Sequence, residues 1–279
     1  MTCDIAFRVI ARRYLADLAA NHTATCNGDP SALHQMRIAL THLRTAILFF
    51  SPILADTLRR KITRELKWLN TQLGAVRDLD VAIERLTEIN KEKPQAISNL
   101  GFWSEKGADS HRDLTEVLRS VRYRRLINNT SDWIGDGVWS TKPGKHAKQR
   151  FSGIVAYSAD KLTRWQRKLL KKSRKLPKMG RGKRHRLRLL NKRLTYSIDF
   201  FEDQISDEKF SKFKAGLKHL RKAQKSLGQL NDDANAHSLA ATLQRDGTHA
   251  PWHFLSSKRE KRLLRTAGAA YRRLAKLNK

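Results

Sequence analysis

With 279 residues, 40% hydrophobic and 30% charged, the chain is long enough for one large helical domain or two fused halves and too apolar for wholesale disorder. Its 57 lysines and arginines stand against 26 acids, a formal charge of +31 that repels itself unless a polyanion such as nucleic acid, polyphosphate or an anionic membrane surface neutralises it. Two cysteines, Cys3 and Cys26, exclude a disulfide framework, and no apolar run approaches a membrane span.

Residues 4–20 read as an amphipathic helix, with Asp4, Arg8, Arg12 and Arg13 interrupting any signal-peptide run, so a soluble cytoplasmic protein is expected. Asn27, Gly28, Asp29 and Pro30 break it, and Pro30 suits the first turn of the next helix. That helix carries two stripes. Leu33, Met36, Leu40, Leu43 and Ile47 recur at steps of 3, 4, 3 and 4, the seam of a core. Beside them run His34, Arg37, Thr41 and Arg44, within an arc of about 80° at roughly 100° per residue. This second edge offers donors and no carboxylate, and so calls for an anion.

Ser51 and Pro52 turn the chain into a return helix over residues 53–73, capped by Gly74, and a further helix over 76–90 ends before Pro94. Residues 95–106 and 110–133 are helical but less regular, and a glycine-rich stretch follows over 135–144. The second half has a long helix over 146–176, a turn over 177–182, a hairpin over 185–202 and 206–227, and helices over 231–244 and 252–277. No β-type alternation persists, so the chain reads as all-α.

The plan repeats. His185, Arg188 and Lys192 have the spacing of His34, Arg37 and Thr41, beside a seam of Leu187, Leu190, Leu194 and Phe201 in which Ser197 is the weak step. Aligning Gly74 with Gly228 places Arg60, Arg64 and Lys67 on Lys214, Lys218 and Arg221, with Lys225 one step further. Two related antiparallel helical bundles in tandem, residues 1–140 and 141–279, are the economical account. The long helix adds a stripe of Lys161, Arg164, Lys168, Lys171 and Lys175, and residues 142–193 hold 20 lysines and arginines against one acid, Asp160. An ordinary solvated helix face interleaves acids, which relieve repulsion and form i,i+4 pairs. These stripes do not, and they suit a phosphate polymer whose counterions are released on binding.

Other chemistries fit less well. His34 and His185 could ligate a metal, pack hydrogen-bonded inside a bundle interface or face an anion; their neighbours at helical spacing are cationic, which disfavours a metal. Asp78, Asp80, Asp232 and Asp233 follow glycines, where an acid at a helix start caps backbone donors; Asp78 could also orient Arg37 or Arg77. No second carboxylate cluster or placed general base is visible, so neither an enzyme nor a cofactor is expected. Trp68, Trp133, Trp139, Trp165 and Trp252 lie on apolar seams or near turns, as core packing asks, which counts against base stacking and leaves RNA as the runner-up partner.

The run Leu33, His34, Gln35, Met36, Arg37, with Leu43 and Arg44, then Leu66 to Leu69 and Leu73 through Val81, resembles the CHAD family, the conserved-histidine α-helical domain. So do His185, Arg186, Leu187, Arg188, Lys192 and Tyr196, followed by Leu227 through Asp232. The resemblance implies two pseudo-symmetric four-helix bundles with a basic central pore or groove, and binding of inorganic polyphosphate, often at polyphosphate granules. It implies that His34, Arg37, Arg44, Arg77, His185, Arg188 and Lys192 face the anion. Thr41 and Thr195 depart from the family pattern, which usually has basic residues there. No Glu-x-Glu-x-Lys signature of the triphosphate-tunnel enzymes found fused to some relatives is present.

Overall fold

The computed structural model describes residues 1–92, 100–143, 145–201, 208–245 and 255–277. Among them the structure is all-α, and the one β-type pairing is an isolated bridge between Thr2 and Gly153. The closing Lys93-Pro94, the helix start at Gln95, and Glu202, Ser206 and Trp252 lie outside the described residues. The chain forms two compact units that divide after Ile154.

In the first unit, α1 (Cys3–Ala20) and the one-turn α2 (His22–Cys26) pack on α3 (Pro30–Phe49), and α3 packs on α4 (Thr57–Glu92). Helices α5 (Leu100–Arg119) and α6 (Val121–Asp136) cover α4, and α6 also packs on α1. The start of α3 follows from its sequence. Gly28 takes φ 82°, which suits a residue without Cβ, and Asp29 then caps the helix, its Oδ1 accepting from the backbone of Ser31 at 2.7 Å and Ala32 at 3.3 Å. All five residues of the expected seam are buried. Above them Phe7 meets the rings of Trp139, Phe50 and Trp133 at 5.3, 5.7 and 5.8 Å. The Trp133 indole donates to Asp56 at 2.8 Å, so this tryptophan satisfies its polar edge while filling the core.

In the second unit, α8 (Ile154–Ser173) leads through a 3-10 turn to α9 (Arg181–Asp199), which packs on α10 (Glu208–Arg245); α10 packs on α11 (Ser257–Lys276). Leu187, Leu194 and Phe201 are buried along the expected seam, Leu190 is half-buried, and Ser197 is fully buried as its polar step.

Several expected boundaries are corrected. Helices α4 and α10 run unbroken through Gly74 and Gly228, neither of which caps a helix end. Neither has the left-handed backbone of a C-terminal cap, since Gly28 is the positive-φ glycine among those described. Leu73 and Val76, and Leu227 and Leu230, carry the buried seam across them. That burial outweighs the roughly 1 kcal/mol helix penalty of one glycine. Asp78 and Asp80 consequently sit inside a helix and do not cap one.

The expected helix over 146–176 is two, α7 (Lys145–Arg150) and α8. Arg150 is buried there and donates to the carbonyls of Trp139 at 2.7 Å and Lys142 at 2.6 Å, which turns the chain before Gly153. With His146 hydrogen-bonded to the Pro52 carbonyl at 2.9 Å, α7 belongs to the first unit. The helical stretch over 110–133 likewise breaks at Ser120, whose Oγ accepts from the Tyr123 backbone at 3.2 Å and starts α6.

Candidate polyanion-binding faces

Helix geometry alone places Arg60, Arg64, Lys67, Thr71, Gly74 and Asp78 along one side of α4, at steps of 4, 3, 4, 3 and 4. Arg37 of α3 reaches that side: its Nη1 lies 3.6 Å from Asp78 Oδ1. The two helices form an antiparallel hairpin, so this contact fixes their register. Moving from Arg37 toward Arg44 on α3 leads from Asp78 toward Thr71 on α4, at about 1.5 Å per residue on each helix. Arg60, Arg64 and Lys67, all exposed, continue the face toward the hairpin turn. His34 is exposed, and Arg37, Thr41 and Arg44 are half-buried. The Thr41 hydroxyl donates to the Arg37 carbonyl at 2.8 Å and adds no charge. One side of the hairpin therefore carries His34, Arg37, Arg44, Arg60, Arg64 and Lys67, and Asp78 is the acid set among them.

Arg77 is not brought to this side. One residue from Asp78, it is turned by about 100° and pairs with Glu84 at 2.9 Å, with Asp80 at 4.0 Å. Asp80 is buried and bonds His111 of α5 at 2.8 Å, so Arg77 belongs to a network that fastens α4 to α5. Spacing could not disclose this, because His111 is remote in sequence.

The second unit repeats the side. Lys214, Lys218, Arg221, Lys225, Gly228 and Asp232 share one edge of α10, and His185, Arg188 and Lys192 one edge of α9. Two contacts set the register. The exposed His185 donates from Nδ1 to the Asn231 side-chain oxygen at 2.7 Å, and Arg221 pairs with Asp199 at 3.1 Å. His185 thus makes an interhelical hydrogen bond, but at the surface and not inside the bundle interface. Below the surface Asn191 is fully buried and donates to the Leu220 carbonyl at 3.0 Å, holding α9 to α10.

Arg188 is half-buried, and its Nε has no hydrogen-bond partner among the described residues. Lys192 lies 5.5 Å above the Tyr196 ring. Burial raises the Tyr196 phenol pKa, and the nearby Arg188 charge offsets part of that rise. Sequence reasoning missed His219, one step from Lys218. Its pKa is lowered first by burial, then by Lys218, Arg273 and Lys222.

On α8, Lys168 and Lys171 are exposed and Arg164 pairs with Asp160. Lys161 is half-buried, and its pKa is lowered by burial and then by Arg164. Trp133 and Trp139 are core residues, whereas Trp68 is half-buried beneath the Arg122 guanidinium, 3.8 Å from the ring centre. Among the described residues no three His, Cys, Asp or Glu side chains gather as a metal-binding group, and no helix is long and apolar enough to cross a membrane.

The model of the CHAD domain matches residues 9–241. The fold is similar to the crystal structure of the CHAD domain from the plant Ricinus communis, with TM-score 0.73 and 22% identity over 99% of this chain and 88% of that one. It is also similar to PptA from Streptomyces chartreusis, with TM-score 0.61 and 12% identity over 100% of this chain and 97% of that one. No curated protein sequence matches the chain.

Proposed function

The chain belongs to the CHAD domain family, and from that premise we propose that it binds inorganic polyphosphate, without catalysis, on the cationic sides of the α3–α4 and α9–α10 hairpins. The observation that carries this reading is the register of each hairpin. Contacts at Arg37–Asp78 and at His185–Asn231 align cationic edges from two helices into one strip, and each unit has such a strip.

A linear phosphate chain has no base or sugar to read, so its recognition rests on charge density and on the arginine fork, which grips phosphate oxygens in pairs. Lysines add point charges along the strip, and binding follows counterion release with a steep salt dependence. Arg188 fits this role as a half-buried guanidinium whose Nε has no hydrogen-bond partner among the described residues. Arg77, already paired with Glu84, contributes positioning of α4 and little direct grip.

Calorimetric titration of long-chain polyphosphate against a length-matched RNA tests the reading. Tighter polyphosphate binding at physiological salt is expected, and tighter RNA binding overturns it. The non-catalytic part has its own assay. Incubation with polyphosphate should release no orthophosphate; release that Asp78→Ala abolishes, with the fold intact, would mean an enzyme.

A further inference from the structure

In the first unit the outer helices α1 and α6 pack directly on each other. In the second, α8 and α11 stand on either side of a groove of about 1070 Å³. Arg167, Lys171 and Arg174 line it from α8, and Lys261, Arg265 and Arg272 from α11, with no acid among the lining residues. Each row repeats at helical spacing, and Gly268 stands in the α11 row where a side chain would narrow the opening. Between the rows the lining is mixed, with apolar surface from Leu170, Leu264 and Ala275 beside the buried polar side chains of Gln166 and Ser173.

This groove is separate from the faces described above. Lys171 lies at the edge of both, but the α8 stripe as a whole is turned about a third of a turn away. An independent observation points to a ligand. Tyr271 lines the groove with 2% of its surface exposed, and its hydroxyl is buried with no hydrogen-bond partner among the described residues. An unpaired buried hydroxyl costs stability that a ligand acceptor returns.

The lining also narrows the chemistry. Inorganic polyphosphate would satisfy the cations yet bury nothing on Leu170 and Leu264. A purely apolar molecule would leave six cations facing one another. The volume lies just above the roughly 300–1000 Å³ typical of small-molecule sites. We propose that the α8–α11 groove is a second ligand site, taking a small amphiphilic organic phosphate. Its apolar or aromatic body lies on Leu170 and Leu264, its phosphates are held by the flanking arginines, and an oxygen on its body accepts from Tyr271.

A nucleotide and an alkyl phosphate share this chemistry, so the full chain is titrated calorimetrically with ATP, decyl phosphate and tripolyphosphate at physiological ionic strength. The expected result is saturable one-to-one binding of ATP or decyl phosphate, whichever body fits, with tripolyphosphate unable to displace it. Arg265→Glu should weaken that binding roughly tenfold, the loss of one charge-assisted contact. Tyr271→Phe, which keeps the ring and so the packing, should weaken it several-fold. Both variants should bind long-chain polyphosphate like the parent, while Arg37→Gln with Arg188→Gln should leave the amphiphile unaffected; this separates the groove from the polyphosphate reading. Absence of saturable binding by either amphiphile overturns the proposal. So does displacement by tripolyphosphate, or a Tyr271→Phe protein that is folded by circular dichroism and binds undiminished.

Discussion

Arg37 and Asp78 form the contact on which the first strip is registered, yet the pair is open to solvent, the half-buried Arg37 with 29% and the exposed Asp78 with 77% of the side-chain surface accessible. Exposed pairs contribute about 0–1 kcal/mol. Asp78→Asn should therefore change unfolding free energy by less than about 1 kcal/mol in a urea titration. Calorimetry should show the same variant binding polyphosphate a few-fold tighter, because the acid within the strip is gone. Weaker binding would mean that Asp78 orients Arg37 more than it opposes the ligand. His219 provides a second readout. Burial and three neighbouring cations hold its pKa below the ordinary 6.5. Between that lowered value and 6.5 the unfolded chain binds more protons than the folded one, so this residue's contribution to stability rises with pH through that window. Polyphosphate on Lys218 would screen a repelling charge and raise the folded value. NMR titration of His219 should then move its midpoint upward on adding polyphosphate, with proton uptake and tighter binding as pH falls. An unmoved midpoint would place the polymer away from this part of α10.

At the scale of elements, periodicity disclosed the helices and their buried seams, and local chemistry misplaced some of their ends. Gly74 and Gly228 looked like caps because glycine ends helices so often, but capping is decided by backbone conformation, and here tertiary burial continues on both sides. Conversely, the break at residues 151–153 depends on where a buried Arg150 finds carbonyls, which no helical period reveals. Substitution measures the difference directly. Among the described residues, and apart from the local helix backbone, no atom lies within 4 Å of an added Cβ at Gly74 or Gly228. Gly74→Ala and Gly228→Ala should each stabilise the protein by about 0.5–1 kcal/mol in thermal or urea unfolding, whereas capping glycines would make both destabilising. Gly137 gives the opposite case, since a Cβ there would lie 2.5 Å from the Trp133 carbonyl oxygen. Gly137→Ala should destabilise by about 1–3 kcal/mol.

For the whole molecule, the charge of +31 is legible from composition, but its arrangement is legible only in part. The steps of 3 and 4 identified which cations share a helix edge. They could not tell that Arg77, adjacent to the strip in sequence, is tied to Glu84 and the Asp80–His111 pair. Nor could they find the α8–α11 groove, whose rows come from helices some hundred residues apart. Folded-state self-repulsion should make stability respond to any polyanion, with the melting temperature rising as polyphosphate is added and the rise shrinking at high salt. That response follows from net charge, so it does not single out the strips. The decisive measurement is calorimetric titration of long-chain polyphosphate, at physiological salt, into two variants of equal charge: Arg37→Gln with Arg188→Gln, and Lys91→Gln with Lys148→Gln. The account predicts a roughly tenfold or greater loss for the first pair and less than about a twofold loss for the second. Equal losses in two folded variants would contradict it, leaving net charge as the whole of the interaction.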